Sequence, residues 1–263
     1  KVEIAKRLSE AGAFQLEVGV PAMGGSEKEA IKQIVKSDLK SSIMGWNRAV
    51  TSDIDASIEC GLDAVAISIS ASDVHITEKL KKTREWVLDT ITRAINYAKS
   101  HGLYVSANAE DASRADPAFL DQFIKTVEAA GADRIRYCDT TGFLDPLSTY
   151  QKISEIIKKS GLPIEIHTHN DFGMATASTL AALEAGAAFA SVTVNGLGER
   201  AGNAALEEVV MALKYLKSYD AGFDITKIKG LCDLVAKASG REIPSNKPIV
   251  GKNLFLSEAG IIA

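Results

Sequence analysis

The chain has 263 residues, of which 46% are apolar and 24% charged, with a formal net charge of −4, so it is long enough for one large globular domain. No cluster of Lys or Arg predicts nucleic acid or an anionic membrane as a partner, no apolar run is long enough to span a bilayer, and no secretory signal is visible. Three widely spaced cysteines argue against a disulfide framework and favour a reducing, cytoplasmic location.

Strand and helix patterns alternate along the chain. Glycine recurs just after the predicted helices, where a left-handed residue commonly ends a helix. The predicted strands are mostly apolar without alternation, which is typical of a parallel sheet covered on both faces. In chain order the predicted elements are helix Val2–Ala11, strand Phe14–Val20, helix Ser26–Ser37, strand Ser42–Trp46, helix Ser52–Cys60, strand Ala64–Ile69, helix Glu78–Ser100, strand Leu103–Ala107, helix Pro117–Ala130, strand Arg134–Cys138, helix Pro146–Ser160, strand Pro163–Thr168, helix Ala175–Ala185, strand Phe189–Val194, and helices Ala204–Tyr215 and Ile225–Ser239.

Seven strand–helix units follow an initial helix. This order predicts an α/β fold, a (β/α)8 TIM barrel over residues 1–240 whose first strand is missing from this chain. The alternative is an open doubly wound sheet, but Gly196-Leu197-Gly198 does not complete the dinucleotide-binding pattern that often accompanies such a sheet. Residues 241–263 break the alternation, and we interpret them as the start of a linker to a C-terminal subdomain.

His167 and His169 lie at the end of a predicted strand, separated by one residue. Residues i and i+2 of a strand share a face, so two imidazoles would emerge side by side. Neutral imidazole is the commonest metal ligand, and a catalytic site needs at least one more protein ligand. The absent first strand is one source of that ligand, and Asp111, Asp139, Asp171, Glu110 and Asn203 are others. The alternative is two partly exposed loop histidines.

Polar side chains end every predicted strand. In a TIM barrel the chemistry lies at the carboxyl ends of the strands, so these residues are candidates for binding a small polar ligand or a metal. Solvated loops would also be polar. The residues are Glu17, Trp46, Asn47, Arg48, Ser68, Ser70, Ser72, His75, Ser106, Asn108, Glu110, Asp111, Asp139, Thr140, Thr141, His167, His169, Asn195, Glu199, Arg200 and Asn203.

The segment Asn195–Asn203, NGLGERAGN, is glycine-rich. Its backbone N–H groups could approach an anion closely, although it lacks the Gly-Lys-Ser/Thr of a P-loop. A tight strand-to-helix turn with a solvated Glu199–Arg200 pair explains the same pattern equally well.

Two long motifs carry a family resemblance. EIHTHNDFGMAT, followed by SVTVNGLGERAGNAALEEV, resembles the metal-dependent TIM-barrel superfamily that includes isopropylmalate synthase, homocitrate synthase, citramalate synthase and hydroxymethylglutaryl-CoA lyase. VPAMG, EDASRAD and NGLGERAGNAALEE resemble most the homocitrate synthase branch associated with nitrogenase, which is itself similar to Re-type citrate synthases. The resemblance spans essentially the whole chain, since it also covers Leu16–Gly24, Ser70–Leu80, Glu110–Phe119, Asp139–Gly142 and Val250–Ile261.

The resemblance implies a set of site residues. His167 and His169 would bind a divalent metal (Mn, Mg, Zn or Fe), with Asn203 close to it as a metal residue. An acidic ligand and an Arg from the family's first-strand motif are not in this chain. The expected catalytic residues are Glu110 and Thr140, and the expected substrate-binding residues are Glu17, Arg48, His75, Ser106, Asn108 and Glu165.

The implied activity is condensation of acetyl-CoA, as co-substrate, with a 2-oxo acid by metal-assisted Claisen chemistry and thioester hydrolysis. The first expectation is homocitrate from 2-oxoglutarate, by a cytoplasmic homodimer. Isopropylmalate, citramalate or Re-citrate synthesis and a retro-Claisen lyase reaction are alternatives within enzymes. A diverged, non-catalytic barrel that binds a metal or a 2-oxo acid is the alternative outside enzymes.

Two departures from the family pattern bear on the substrate and on activity. Ser106 and Asn108 stand where lysine-pathway homocitrate synthases carry Arg-x-Ser for the distal carboxylate, so Arg48 or another group must supply a cation, or the substrate differs. Ser257 and Ile262 replace both histidines of the family's F-x-H-E-x-G-I-H segment, which puts the proton-transfer machinery in question.

Overall fold

The computed structural model describes residues 1–257. Within that range seven parallel strands form one sheet whose spatial order is the chain order. The strands are β1 Gln15–Glu17, β2 Ser42–Arg48, β3 Ala64–Ser70, β4 Tyr104–Glu110, β5 Arg134–Asp139, β6 Ile164–Thr168 and β7 Phe189–Ser191. The expected TIM-barrel type of fold is confirmed.

Helices cover the outer face of the sheet, one after nearly every strand. They are α1 Val2–Glu10, α2 Gly25–Val35, α3 Thr51–Cys60, α4 Arg84–Ser100, α5 Pro117–Ala129, α6 Pro146–Lys159, α7 Ala175–Glu184, α8 Leu206–Leu216 and α9 Ile228–Ser239. Within residues 1–257, no helix has both the length and the apolar composition that crossing a bilayer requires.

The sheet curls until its first and fifth strands face each other across the interior. Gln15 and Glu17 of β1 reach Arg134 and Arg136 of β5, with 2.6 Å from Arg134 Nη2 to Gln15 Oε1 and 2.7 Å from Arg136 Nη1 to Glu17 Oε2. The edge strands β1 and β7 do not pair with each other in the described sheet. A seam therefore separates them.

Alternation along β5 and β6 separates an apolar layer from a polar interior. Ile135, Tyr137, Ile164 and Ile166 are buried in the main core cluster, against the helices. The intervening side chains point into the barrel, because successive strand residues face opposite sides. The core therefore lies between sheet and helices, and the barrel interior is left to polar groups.

The predicted helix Glu78–Ser100 is wrong at its start. The segment His75–Lys79 forms a separate π-helical turn, and the α-helix begins at Arg84. Thr83 caps it, since its hydroxyl oxygen accepts the free N–H of Trp86. This break leaves His75 on a short loop element above β3 instead of ahead of a continuous helix.

Strand lengths also differ from the expectation. β4 continues to Glu110, whereas the predicted strand ends at Ala107, so Ser106 and Asn108 lie within the strand. The edge strands β1 and β7 have three residues each and are shorter than the predicted strands Phe14–Val20 and Phe189–Val194.

The segment after α9 folds back on the barrel. Val250 is buried in a cluster with Leu206 and Val235, and Lys247 forms ion pairs with Glu207 and Glu208 of α8. Its interpretation as the start of a linker stays a prediction. The changed position Ile262 lies outside the described residues.

Candidate active site

His167 and His169 share one face at the end of β6. Their ring centroids are 5.0 Å apart and the ring planes are perpendicular. Thr168 between them points the other way, where its hydroxyl donates to the carbonyl of Ala175 at 3.0 Å. His167 Nδ1 lies 3.1 Å from Ser191 Oγ on β7, which leaves Nε2 of that ring as the nitrogen available to a ligand.

Both rings are kept neutral. Burial, with the positive charge of Arg136 and the neighbouring His169, lowers the pKa of His167 to about 3. Burial and then Arg200 lower the pKa of His169. Neutral imidazole is the form that binds metals, so these two side chains are in their ligand state at ordinary pH.

The glycine-rich segment brings Asn203 to the histidines. Asn203 forms an antiparallel bridge with His169, and its N–H donates to the carbonyl of Gly196 at 3.0 Å. Gly198 is required at the close approach, since a Cβ there would lie 2.8 Å from the Asn203 amide. The loop is a tight turn that fixes one amide beside the end of β6.

Two polar atoms at this point have no partner. His169 Nδ1 and Asn203 Oδ1 are buried and form no hydrogen bond with any described residue. Buried polar atoms are normally satisfied, and an imidazole nitrogen with an amide oxygen is a donor set that divalent metals accept. These residues therefore fit a metal. Among residues 1–257 no three His, Cys, Asp or Glu side chains group for one, so the histidines supply only part of a ligand set.

The barrel interior beneath the histidines is charged. Glu165 Oε2 lies 2.8 Å from Arg134 Nε and 3.0 Å from Arg136 Nε. Burial by itself would raise the pKa of Glu165, but Arg136 and Arg134 outweigh it and the pKa is lowered. TIM-barrel interiors are usually filled by branched apolar side chains, so this ionic layer is a departure that sequence reasoning missed.

A signal for these arginines was present in the sequence. Arg134 and Arg136 stand two residues apart in a strand predicted to be covered on both faces, so they share one face and that face is polar. A cavity of about 620 Å³ at the seam is lined by Glu17, Arg134, Arg136, Glu165, His167 and Asn203, among others.

A second cluster lies at the ends of β3, β4 and β5. Glu110 Oε1 is 2.5 Å from Lys79 Nζ and 3.3 Å from His75 Nδ1. Asp111, in the left-handed region at φ +60°, donates its N–H to Thr140 Oγ1 at 2.8 Å. His75, Glu110 and Thr140 are thus brought together.

The remaining expected residues have different surroundings. Ser106 and Asn108 are buried in the interior, where Ser106 Oγ lies 3.1 Å from Asn108 Oδ1 and 3.3 Å from Glu165 Oε2. The Arg48 guanidinium is paired instead with Asp53 of α3, through Nε at 2.8 Å and Nη2 at 2.8 Å. The structure therefore engages Arg48 outside the cavity and offers Arg136 as the interior cation.

A family model described as HMGL-like matches residues 1–235. The chain belongs to the HMGL-like family. Two curated relatives are similar over almost the whole chain. One is 2-isopropylmalate synthase 2 of Caldanaerobacter subterraneus subsp. tengcongensis, 60% identical over 99% of this chain and 68% of the relative. The other is homocitrate synthase 1 of Nostoc sp., 48% identical over 100% of this chain and 70% of the relative.

A solved structure has the same architecture. The HMG-CoA lyase of Bacillus subtilis superposes with a TM-score of 0.80 at 19% identity, over 93% of this chain and 88% of that one. At that identity the likeness shows the fold alone. The expected family and the expected class of protein, a synthase of the acyltransferase type, are confirmed. This chain spans about two thirds of the length of the two curated relatives.

Proposed function

We propose that this chain carries the catalytic barrel of an acyltransferase that condenses acetyl-CoA with 2-oxoglutarate, giving homocitrate and free coenzyme A. The observation that carries the proposal is the convergence of His167, His169 and Asn203 at the end of β6, above an interior that holds a buried cation, Arg136. The relatives named as isopropylmalate and homocitrate synthases support the same chemistry.

His167 and His169 would hold a divalent metal, with Asn203 beside it. A metal bound there supplies Lewis-acid polarisation of a keto oxygen. The neutral rings are ready to bind, because burial holds the pKa of His167 at about 3. Its Nδ1 is already directed to Ser191, and such a contact orients a metal-ligating ring.

The cluster above β3–β5 is placed to move protons. In the proposed reaction a proton leaves the acetyl methyl, the resulting carbanion forms a C–C bond with the keto carbon, and the keto oxygen takes up a proton. Glu110 and His75, 3.3 Å apart, would accept and pass on the methyl proton. Thr140 accepts from the Asp111 N–H, so its own hydroxyl hydrogen is free to donate to a substrate oxygen. Water then cleaves the C–S bond and releases the thiol.

A second candidate is isopropylmalate synthesis. The 60% identity to a relative with that name favours it, and the interior Ser106 and Asn108 carry no charge. Citramalate or Re-citrate synthesis and a lyase-type cleavage differ from these in substrate or direction, and the same assay separates them. We also expect a cytoplasmic homodimer.

The test is thiol release by the complete gene product. The purified protein is given acetyl-CoA and Mn²⁺ or Mg²⁺ with, in turn, 2-oxoglutarate, 2-oxoisovalerate, pyruvate and oxaloacetate. We expect thiol release to be fastest with 2-oxoglutarate. Faster release with 2-oxoisovalerate would favour the second candidate, and no release with any acid would refute both.

A further inference from the structure

Arg136 is a buried cation with unused hydrogen-bonding capacity. Its side chain is 6% exposed, and its Nε lies 3.0 Å from Glu165 Oε2 without the alignment of a hydrogen bond. Its Nη2 donates only to the sulfur of Met44, a weak acceptor, at 3.9 Å. A guanidinium has five N–H donors, so Arg136 is far from saturated.

Its ionic neighbours inside the barrel are locked in place. Glu165 is 5% exposed. Its Oε2 forms ion pairs with Arg134 and Arg136 and also accepts a hydrogen bond from the hydroxyl of Ser106. Arg134 is 3% exposed, and its Nη2 donates to Gln15 Oε1 at 2.6 Å. The contacts of Glu165 and Arg134 therefore hold both side chains in place within the ionic layer. Among residues 1–257 the carboxylates paired with Arg136 are Glu165 and Glu17.

The remaining partner of Arg136 is exchangeable. Glu17 contacts Arg136 Nη1 at 2.7 Å, and its side chain is 34% exposed. It stands at the end of β1, a three-residue edge strand, and lines the same cavity. Because Glu17 and Arg136 line one cavity, another carboxylate entering that cavity can take the place of Glu17 and keep the buried guanidinium paired.

Arg136 also lies at a fixed spacing from the histidines. It pairs in register with Glu165, while Cys138, the next inward residue of β5, pairs with His167. Arg136, His167 and Asn203 line one cavity. The backbone of Arg136 is therefore one inward-facing strand position below that of His167, on the neighbouring strand, about 6–7 Å along it. A short dicarboxylic acid with one end at the histidines could therefore direct its other carboxylate toward Arg136 within the same cavity.

We propose that Arg136 binds the distal carboxylate of a 2-oxodicarboxylic acid and that Glu17 occupies this position until the substrate displaces it. This inference rests on the proposed function and assigns its substrate class. A guanidinium takes a carboxylate with two parallel hydrogen bonds, and Arg136 can offer Nη1, now on Glu17, and Nη2, now on the weak acceptor Met44 Sδ. The cation that the sequence lacks at Ser106 and Asn108 is thus supplied from the adjacent strand, since Ser106 pairs in register with Arg134 and Asn108 with Arg136.

The Glu17→Gln variant of the complete gene product separates this role from a structural one. Removing the competing carboxylate lowers the KM for 2-oxoglutarate by about threefold or more and leaves that for 2-oxoisovalerate unchanged. If Glu17 serves only to neutralise Arg136, the variant gains nothing for either acid. An unchanged or raised KM for 2-oxoglutarate overturns the proposal. Glu59→Gln, in a surface ion pair with Lys28, is the matched control.

The Arg136→Lys variant gives the second arm. It keeps the charge and loses the two-pronged contact, so kcat/KM for 2-oxoglutarate falls about tenfold or more while that for 2-oxoisovalerate changes much less. An equal loss for both acids identifies a structural role and overturns the proposal. If the Arg136→Lys variant does not fold, the KM values of Glu17→Gln test the proposal by themselves.

Calorimetric binding without acetyl-CoA keeps the inference apart from the proposed function. Wild-type protein binds 2-oxoglutarate more tightly than 2-oxoisovalerate, and Glu17→Gln widens the difference. A protein that releases thiol only with monocarboxylic acids keeps the condensing chemistry of the second candidate and refutes both homocitrate synthesis and the role of Arg136. A protein that binds 2-oxoglutarate in this way but never releases thiol refutes the function alone.

Discussion

Asn203 is joined to His169 by an antiparallel backbone bridge. The bridge continues on either side, with Asn170 N–H donating to Gly202 O at 2.8 Å and Ala204 N–H to Thr168 O at 3.3 Å. The loop between β7 and α8 is therefore held to the end of β6 by backbone hydrogen bonds. A change in the loop backbone is therefore expected to shift the positions of the two imidazoles.

Gly202→Ala tests that coupling. Gly202 has φ +92°, and a Cβ there would lie 2.1 Å from Gly196 O, so the loop must shift. We expect a loss of more than about 1–2 kcal/mol of unfolding free energy and at least a tenfold weaker metal affinity. Gly230→Ala is the control. It lies in α9 with no heavy atom within 4 Å of a built Cβ, so it should stabilise by about 0.5–1 kcal/mol. Denaturant unfolding and metal titration measure both.

Replacing either histidine should remove the metal. His167→Ala and His169→Ala each delete a ligand from an incomplete set, so tight binding of Mn²⁺ or Zn²⁺ is expected to be lost. Metal per protein chain after dialysis, measured by plasma emission, checks this. His101→Ala, at the exposed end of α4, should keep the wild-type metal content. Full metal content in His167→Ala would show that the site lies elsewhere.

Sequence patterns predicted the frame of the site because the frame rests on local rules. The apolar strands and the glycines after helices set the βα order, and the i, i+2 spacing placed His167 and His169 on one face. The bridge from His169 to Asn203 depends on a loop path that no local rule gives. The same holds for Asp111 at φ +60°, which turns its N–H to Thr140.

Arg48 and Arg136 show a second kind of limit. Both are strand arginines, and the strand end made Arg48 the natural candidate for the cavity cation. In the structure Arg48 instead forms an ion pair with Asp53, in the first turn of the next helix. Arg136 is in mid-strand, where a charge is costly, and is retained through Glu165 and Glu17 across the curled sheet. Pairing across a barrel joins residues that are 119 positions apart in the case of Arg134 and Gln15, which local patterns do not report.

The Arg48–Asp53 pair predicts a pH dependence. Burial alone would raise the pKa of Asp53, but hydrogen bonds from the side chain and N–H of Arg48 overcome it and the pKa is lowered from 3.8. A carboxyl group whose pKa is lower in the folded than in the unfolded state stabilises the folded protein at pH values above its unfolded pKa. That stabilisation is lost as the pH falls through the pKa of the folded state. Asp53→Asn should therefore cost about 1–3 kcal/mol at pH 7, and the deficit should shrink below pH 4 or so.

Unfolding curves of both proteins across pH 2–8 measure the Asp53 effect. Asp121→Asn is the control, because its ion pair with Lys159 is partly exposed and should contribute less than about 1 kcal/mol. An Asp53→Asn deficit that stays constant with pH would contradict the charge-based explanation.

Lys247 ties the segment after α9 to the barrel. Its side chain is 13% exposed and faces Glu207, which is fully buried, and Glu208 at 2.8 Å. Glu207 also accepts the N–H of Asn195 in the glycine-rich loop at 2.9 Å. Lys247→Met would leave a buried carboxylate unpaired, for a loss of about 3–5 kcal/mol.

Hydrogen exchange of residues 245–251 and denaturant unfolding measure the Lys247 effect. Combining Lys247→Met with Glu207→Gln should recover part of the loss, since the unpaired charge is removed. Lys252→Met, exposed on the same segment, is the control. Equal losses in Lys247→Met and Lys252→Met would show that the ion pairs do not hold this segment.

The central claim is a Claisen condensation at the mouth of this barrel. The most direct measurement is product analysis after the complete gene product is incubated with ¹³C-methyl acetyl-CoA, 2-oxoglutarate and a divalent metal. We predict ¹³C-labelled homocitrate, identified by mass spectrometry and NMR, formed in step with free thiol. Absence of a labelled condensation product from 2-oxoglutarate, 2-oxoisovalerate, pyruvate and oxaloacetate alike, with metal bound, would contradict the account.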